Sequence, residues 1–369
     1  MKFSCEKYLL QQAISTASRC AAAKSPIPAL EGLLIEADRE VRITGYDLKK
    51  GIYTSFPADV AESGSIVLNA KLFGEIVRSL PDDIITVSVE NGFQTEITCA
   101  ASAFSIMGTD SAEYPELPSV EKQSAISIPQ EILAKMIHQT IFAVSDNESR
   151  PIYTGSLFEI QENSLVVVAV DGYRLAMRKE TVEAADVEDC SFIVPGAALS
   201  DLEKLCDGKD EKVSITVGAK HISFVLGETV LITRRLEGEF LNYKKSVPSE
   251  FGIIVEADRE ELTKSISRVS LIIDEKTKNP LRISVTDGRL VINCVTGIGS
   301  GGDECAVKNI AGENLVIGFN NRYLLDALKA APAEKIRIGF NSPSAPCVIF
   351  PAEGEASFSY MILPVRIRA

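Results

Sequence analysis

A glycine-rich stretch near residue 300 is the first pattern that could carry chemistry. Gly297, Gly299 and Gly302 match the spacing G-x-G-x-x-G, in which glycine backbones approach the phosphates of a dinucleotide. Such a site also needs a helix directly after the loop, because the helix N-terminus faces the pyrophosphate. Residues 303–307 have an alternating, strand-like pattern instead. We therefore expect a hairpin loop here, and an enzyme that uses this loop to bind a nucleotide is one alternative interpretation.

Two other patterns have the residue types of a nucleophilic site. Ser4 with Lys7 gives S-x-x-K, and the tripeptide at 145–147 gives S-D-N, but the K-T-G motif that completes the penicillin-recognising enzymes is missing from the sequence. The two histidines, His138 and His221, fall on different predicted elements, so the sequence supports no Ser-His-Asp or Cys-His arrangement. No carboxylate pair lies in an apolar segment beside a second titratable group. We predict that the protein is not an enzyme.

The eight cysteines indicate a reducing compartment. They are scattered singly without any C-x-x-C pair, which favours buried thiols over disulfides or a metal site. The sequence has no apolar run of the roughly 18 residues that a membrane span needs, and its start does not match a secretory signal. We therefore expect a cytoplasmic protein without metal or other cofactor.

Residues 165–177, LVVVAVDGYRLAM, are the stretch best suited to binding a partner. The nearly continuous apolar residues before Asp171 predict a strand in the middle of a sheet, and Gly172 permits a tight turn. Tyr173, Arg174 and Leu175 then stand at the sheet edge, a combination that favours gripping a peptide over breaking a bond. The alternative is an ordinary strand followed by an ordinary turn.

The same order of elements recurs three times along the 369 residues, at a spacing of roughly 125. The clearest part is a strand, a helix, a charged turn and a second strand, at 65–89, 191–217 and 314–340. Helical spacing predicts one buried stripe per helix, formed by Leu72, Ile76 and Leu80, by Leu199, Leu202 and Leu205, and by Leu324, Ala327 and Leu328.

Each third also opens with a strand and a longer helix, predicted at 6–22, 129–142 and 258–271. Strands separated by Gly or Asp-Gly turns follow, and we equate the turn at Asp171 with the one at Asp287. The fold class predicted is α+β, with three repeated domains that each carry two helices on one side of antiparallel sheets. Proline-marked joins give the bounds 1–122, 123–249 and 250–369.

Positive charge recurs on the predicted helices although the net charge is −13. Lys71 and Arg78 share one helix face, and Lys264 and Arg268 share another. These cations fit an ordinary solvated surface, or a surface that attracts a polyanion through many weak contacts. Because no aromatic stripe accompanies them, duplex nucleic acid is a better fit than a single strand.

Nine segments in order then identify a family resemblance. They are MKF, IPALEGLLIEA, TGYDL, FSIMGTDSAEYPEL, AVSDNESRPIYTGSLFEI, AVDGYRL, RRLEGEFLNY, IGFNNRYLLDAL and MILPVR. With these segments the whole chain resembles the bacterial sliding clamps, the β subunits of DNA polymerase III. The resemblance implies a non-catalytic processivity factor in which two chains close head to tail into a ring of six domains around duplex DNA. Its implied partners are the replicative DNA polymerase, the clamp loader and other proteins with clamp-binding motifs.

The resemblance also assigns residues. The ring would close where Phe104 and Ile106 meet Leu271 and Ile272. The DNA-facing cations would be Lys24, Lys71, Arg78, Arg150, Lys204, Lys264, Arg268 and Arg322. The peptide pocket would consist of Tyr153, Val170, Gly172, Tyr173, Arg174, Leu175, Leu241, Ser246, Met361, Leu363, Pro364, Val365 and Arg366.

In that pocket Arg174 or Arg366 would hold a backbone carbonyl or an acidic group of the peptide. Tyr173, Tyr153 and Leu241 depart from the His, Leu and Pro that are usual in the family, and Ala197 stands where a basic residue is common. A scaffold that binds peptides without encircling DNA is the second alternative.

Overall fold

The computed structural model describes residues 1–90, 92–120, 124–161, 163–182, 189–207, 211–274, 279–286, 288–312, 314–354 and 357–367. They form two compact units, Met1–Leu133 with Asp201–Arg235, and Ala134–Ser200 with Leu236–Ala369. The predicted boundary between residues 122 and 123 lies outside the described residues, and the three-domain bounds stay a prediction. Within the described ranges, no helix is long and apolar enough to cross a membrane.

The described residues of the first repeat form two α-helices and nine strands. Its elements are β1 (Lys2–Glu6), α1 (Lys7–Ala17), β2 (Gly32–Ala37), β3 (Val41–Tyr46), β4 (Lys50–Phe56), β5 (Asp59–Glu62), β6 (Gly64–Asn69), α2 (Ala70–Ser79), β7 (Ile84–Val89), β8 (Gln94–Cys99) and β9 (Ser102–Met107). Helix α1 is shorter than the predicted range 6–22, because a 3₁₀ turn at Ser18–Cys20 follows it.

The second repeat has the same plan. Its elements are β10 (Ser124–Pro129), α3 (Gln130–His138), β11 (Gly155–Gln161), β12 (Ser164–Val170), β13 (Arg174–Thr181), β14 (Cys190–Pro195), α4 (Gly196–Leu205), β15 (Lys212–Val217), β16 (His221–Leu226), β17 (Thr229–Arg234) and the short α5 (Tyr243–Ser246). The prediction of a central strand is confirmed, since β12 lies between β11 and β13 and its last four residues are buried.

The third repeat completes the pattern. Its elements are β18 (Ile253–Asp258), α6 (Arg259–Ser270), β19 (Leu281–Thr286), β20 (Arg289–Thr296), β21 (Gly299–Ala311), β22 (Leu315–Phe319), α7 (Asn321–Ala330), β23 (Lys335–Phe340), β24 (Cys347–Pro351) and β25 (Phe358–Ile362). Helix α7 begins where the Asn320 side chain accepts a hydrogen bond from the backbone N–H of Arg322.

Sheets run from one repeat into the next, and we call each such place a joint. In the first joint, within the first unit, β4 pairs with β17 in the order β6-β2-β3-β4-β17-β16-β15-β10. In the second joint, within the second unit, β13 pairs with β25 in the order β14-β11-β12-β13-β25-β24-β23-β18. We call the strand sets β6-β2-β3-β4, β14-β11-β12-β13 and β22-β19-β20-β21 the first half-repeats, and the sets that begin at β1, β10 and β18 the second half-repeats. Both joints therefore pair the last strand of a first half-repeat with the last strand of a second half-repeat.

The sheet order corrects one equivalence made from sequence. The turn before Gly288 joins β19 to β20, which take the places of β11 and β12 in the order β22-β19-β20-β21. The counterpart of the turn at Asp171 is the turn at Gly297 and Ile298, between β20 and β21. The two turns at Asp171 and Asp287 look alike in sequence because both use Asp-Gly, a pair favoured in many hairpins.

The stripe predicted for α2 is also partly wrong. The helix buries Phe73, Ile76 and Val77, whereas the side chain of Leu72 is 44% exposed. A shift of one residue along a helix rotates the buried face by about 100°, and Phe73 outcompetes Leu72 for the core of the first repeat. Leu72 is thus an apolar residue left on the surface.

Candidate peptide-binding pocket

The pocket is built around the turn that joins β12 to β13. The Asp171 carboxylate accepts hydrogen bonds from the backbone N–H groups of Tyr173 (2.8 Å) and Arg174 (3.0 Å), which fixes the turn from inside. Gly172 has φ +92°, a left-handed conformation in which a side chain would be strained. The turn therefore presents Tyr173 and Arg174 in defined directions.

The guanidinium of Arg174 contacts two carboxylates and two aromatic rings. It donates to Asp171 (2.9 Å) and to Asp326 on α7 (2.6 Å), and its carbon lies 4.5 Å from the ring centre of Tyr323 and 5.4 Å from that of Phe142. Its side chain is 11% exposed. Arg174 is thus well placed to hold the turn against α7, because two carboxylates and two aromatic faces already satisfy its charge.

Tyr173 contrasts with Arg174, since it is 62% exposed. Its ring stacks on Tyr323 with ring centres 6.2 Å apart and an angle of 25° between the planes. We call these two rings the aromatic platform. Burial raises the pKa of Tyr323 above its ordinary value, so this phenol is neutral near pH 7. The platform offers an exposed aromatic face beside the turn.

The C-terminal segment after β25 borders the turn. Leu175 pairs with Met361, and the N–H of Leu363 donates to the carbonyl of Tyr173 at 2.9 Å. Farther along, the N–H of Val365 donates to the carbonyl of Gly318 at 2.8 Å. A Cβ at Gly318 would lie 2.7 Å from the Val365 carbonyl oxygen, so only glycine allows this close passage.

A hydrophobic cluster separate from the main cores forms the floor of the site. Val170, Leu175 and Met361 are buried in it, and Tyr153 and Leu241 are partly buried against it. Tyr153 also meets the edge of Phe240 with ring centres 5.7 Å apart. Partly covered apolar side chains around a buried floor are the usual setting for hydrophobic anchors of a bound peptide.

Helix α5 forms one wall, and a carboxylate holds it in place. The hydroxyl of Tyr243 donates to Glu159 at 2.5 Å, and the ammonium of Lys244 lies 2.9 Å from the same carboxylate. Burial and then this hydrogen bond raise the pKa of Tyr243. The Ser246 hydroxyl instead donates to the Asn242 carbonyl within the helix. Sequence patterns did not point to Glu159, since its partner lies 84 residues away.

The structure brings most of the predicted pocket residues together. Those in the turn, the cluster or the adjoining strand are Tyr153, Val170, Gly172, Tyr173, Arg174, Leu175, Leu241, Met361 and Leu363. Pro364, which is half-buried, and the exposed Val365 and Arg366 follow in the same segment. Sequence reasoning missed Phe142, Tyr323 and Asp326, although an arginine in a buried segment demands such partners. The roles assigned to these residues stay predictions.

All eight predicted DNA-facing cations are exposed: Lys24, Lys71, Arg78, Arg150, Lys204, Lys264, Arg268 and Arg322. Within the part of the chain that the structure describes, Lys264 and Arg268 pair with carboxylates. Lys264 lies 2.6 Å from Glu260 on the same helix, and Arg268 pairs with Asp303 on β21. Their positive charge is therefore partly offset before any polyanion arrives.

The residues predicted to close a ring lie in the first and third repeats. Phe104 is 40% exposed on β9, at the end of the sheet β5-β1-β7-β8-β9, and Ile106 is half-buried against the core of the first repeat. Leu271 is 85% exposed just after α6, whereas Ile272 packs against the third repeat's core. Phe104 and Leu271 are thus apolar side chains without cover in the single chain.

The patterns that suggested catalysis have structural roles. The glycine-rich stretch forms the tight turn from β20 into β21, as the hairpin prediction required. The Ser4 hydroxyl hydrogen-bonds Thr86 at 2.8 Å, and Lys7 pairs with Asp82 at 3.0 Å. Among the described residues no group of three or more His, Cys, Asp or Glu side chains is arranged to hold a metal.

Comparison with known proteins decides the family. Domain models of the DNA polymerase III beta subunit match residues 1–118 (N-terminal domain), 127–242 (central domain) and 244–366 (C-terminal domain). The chain belongs to the DNA polymerase III beta subunit family. It is 34% identical to the beta sliding clamp of Halalkalibacterium halodurans, over 99% of this chain and 100% of that protein.

Solved clamp structures agree with the fold. The DNA polymerase sliding clamp of Bacillus subtilis superimposes with a TM-score of 0.96 at 31% identity, and the DNA polymerase III beta subunit of Pseudomonas aeruginosa with 0.94 at 26%, each over 100% of both chains. The predicted fold of three clamp domains built from antiparallel sheets and helices is confirmed. Family membership also confirms the predicted function, a non-catalytic sliding clamp of DNA replication.

Proposed function

We propose that two copies of this chain close head to tail into a six-domain ring around duplex DNA. One observation supports this most strongly: the chain contains the same joint twice and leaves one unpaired edge of each kind. Among the described residues β9 pairs only with β8, and residues 299–306 of β21 pair only with β20. By position in the repeat, β21 corresponds to β4 and β13, and β9 corresponds to β17 and β25.

A second copy would supply the missing partner for both edges. If β9 of one copy adds to β21 of the other, each sheet continues as it does at the two joints within the chain. Two copies then form two such joints related by a two-fold axis, and the ring closes with both β9 and β21 paired. Phe104 and Ile106 would meet Leu271 and Ile272 there.

The exposed helix cations suit a surface that holds DNA weakly. Contacts to phosphates are independent of base sequence, so a ring can slide while its topology prevents escape. The ion pairs at Lys264 and Arg268 reduce the attraction further. With a net charge of −13, the whole chain is not suited to coating DNA with its entire surface.

The pocket would tether the partners that act on the DNA. An extended peptide with large hydrophobic side chains fits the cluster of Val170, Leu175 and Met361, and the exposed Arg366 is free to meet an acidic group. The partners we propose are the replicative polymerase, the clamp loader and other proteins with such a motif, all in the cytoplasm.

Retention on DNA tests the ring directly. The protein is loaded onto nicked circular DNA with a clamp loader and passed through a sizing column at 500 mM salt, and the circle is then linearised. We expect the protein to elute with the circle and to be lost after linearisation. Equal retention on both forms would contradict encirclement, and binding of partner peptide without retention on either form would favour the scaffold alternative.

A further inference from the structure

In each repeat, a turn connects the last two strands of the first half-repeat: β3 to β4, β12 to β13, and β20 to β21. The hydrogen bonds and side chains of these three turns can be compared. In the first, the Asp47 carboxylate accepts from the N–H groups of Lys49 and Lys50, both at 2.8 Å, which is the arrangement found at Asp171. In the third, the Thr296 hydroxyl takes the same place and accepts from the N–H of Ile298 at 3.3 Å. Lys49, Tyr173 and Ile298 are therefore equivalent positions.

At both joints within the chain, the residue after this position is a cation bound to the next repeat's second helix. Lys50 pairs with Asp201 and Arg174 with Asp326, and each aspartate is the sixth residue of its helix. Burial is the largest single influence and lowers the pKa of Lys50, but the hydrogen bond to Asp201 and the nearby acidic groups together outweigh it and raise that pKa. The interaction is thus a repeated feature of the joint.

A third element completes each joint. Lys50 donates to the carbonyl of Arg19 at 3.2 Å, and Arg174 lies over the ring of Phe142. Arg19 and Phe142 occupy the same position after the first helix of their repeats, the thirteenth residue counted from the first residue of the helix, and Leu271 occupies it in the third repeat.

At the unpaired edges the carboxylate position is still acidic, because the sixth residue of α2 is Glu75, but the positions that correspond to the cation and to Tyr173 are uncharged. The cation's place is taken by Gly299, and the position of Tyr173 is taken by Ile298, which is 81% exposed. Leu271 is 85% exposed. On α2 of the first repeat, the third residue is Leu72, which corresponds to Tyr323 on α7 and is 44% exposed.

We propose that the joint between two copies is sealed by an apolar trio, Ile298 and Leu271 of one copy packed on Leu72 of the second, where the chain's own joints use a cation and a carboxylate. This inference rests on the proposed ring. Ile298 on Leu72 takes the place of Tyr173 on Tyr323. The trio would cover three of the large apolar side chains that are exposed in the single chain.

Exchanging the apolar pair for charges tests the trio. The dimer dissociation constant is measured by mass photometry and sedimentation for the wild type, Ile298→Glu, Leu72→Lys and the double variant. Each single change places a charge against apolar side chains, and Ile298→Glu also approaches Glu75 of the second copy. Because every ring has two joints, a roughly tenfold loss per joint becomes about a hundredfold loss per dimer. We expect the double variant to recover to within about tenfold of the wild type.

Val316→Glu is the matched control, because Val316 is 47% exposed on β22 of the same repeat, away from the edge of β21. Thermal unfolding of each variant shows that it is folded. A dimeric wild type with Ile298→Glu no weaker than the control would overturn the trio while leaving the ring intact. Single variants that weaken the dimer without recovery in the double variant would overturn the Ile298–Leu72 contact. A wild type that is monomeric at micromolar concentration would instead overturn the ring itself.

Discussion

The clearest test of the pocket concerns Asp326, a residue of α7 that accepts a hydrogen bond from Arg174 and is not among the predicted pocket residues. In one interpretation, Arg174 grips the peptide directly. In the other, which the structure favours, Arg174 is a positioning residue that holds the turn and Tyr173 against α7. Asp326→Asn keeps the shape of the side chain but removes the charge that the guanidinium meets at 2.6 Å. The two interpretations then predict opposite changes in affinity.

The magnitudes follow from burial. A hydrogen bond to a charged group is worth about 1.5–3 kcal/mol, and the lower end applies here because Asp326 is 31% exposed. We therefore expect Asp326→Asn to lower the free energy of unfolding by about 1.5 kcal/mol. An aromatic pair contributes about 0.5–1.5 kcal/mol, so a loosened platform should weaken peptide binding by roughly fivefold.

The assay is fluorescence anisotropy with a labelled peptide of about ten residues, selected for binding to the wild type, alongside thermal unfolding. Glu334→Gln is the control, since it makes the same charge change on an exposed side chain beyond the end of α7. Tighter peptide binding by Asp326→Asn would show that a freed Arg174 binds the ligand and would refute the positioning role. Unchanged stability and affinity would show that the ion pair does not hold the turn.

Four further outcomes follow from the same structure. Tyr243→Phe, which removes the hydroxyl bonded to Glu159, should loosen the α5 wall and weaken peptide binding about threefold to tenfold, as anisotropy would show, with the dimer unaffected. Truncation after Ile362 should abolish peptide binding and leave the dimer intact in mass photometry, whereas removal of Met361 as well would damage β25, where Met361 pairs with both neighbouring strands. The dimer dissociation constant should change little between 50 and 500 mM salt, because β9 and residues 299–302 carry no charged side chain. Finally, burial raises to about 12 the pKa of the thiols of Cys5, Cys20, Cys206 and Cys347. Because these thiols ionise at lower pH in the unfolded chain than in the folded one, the free energy of unfolding should decrease as pH rises above about 9. A fall in the urea midpoint of unfolding over that pH range would show this.

Much of the fold could be read from the sequence because each repeat keeps its helical and strand spacing. The central strand β12 and the short hairpin at Gly297 were predictable from apolar runs and turn residues. The buried face of α2 was not, because Leu72 and Phe73 are both apolar neighbours and only the tertiary core decides between them. The ends of α1 and α3 were also misjudged, since their 3₁₀ continuations keep the apolar pattern without the α-helical hydrogen bonds.

The pocket residues were named through resemblance, and local sequence could not have supplied the contacts that organise them. Arg174 and Asp326 are 152 residues apart, and Tyr243 and Glu159 are 84 apart. A charged side chain in an apolar segment predicts that a partner exists, but it does not say which of 51 acidic residues it is. Asp201 and Asp326 are each the sixth residue of their helix. Aligning the repeats by sequence would have shown this equivalence and could have pointed to both aspartates as partners.

The third residue differs among the three turns at Asp47, Asp171 and Thr296, and this difference explains why only the turn at Asp171 belongs to the candidate pocket. All three place their third residue on the surface, but the first presents Lys49, a flexible cation, and the third presents Ile298, which the proposed ring would cover with a second copy. Only the second presents an aromatic ring that stays open, stacked on Tyr323 beside a partly uncovered apolar cluster. A ring closed by the apolar trio would therefore leave one accessible site per chain for a hydrophobic peptide. Partner binding and ring closure then use equivalent positions of different repeats, so a change at Tyr173 should alter peptide affinity without altering the dimer, and a change at Ile298 should do the reverse.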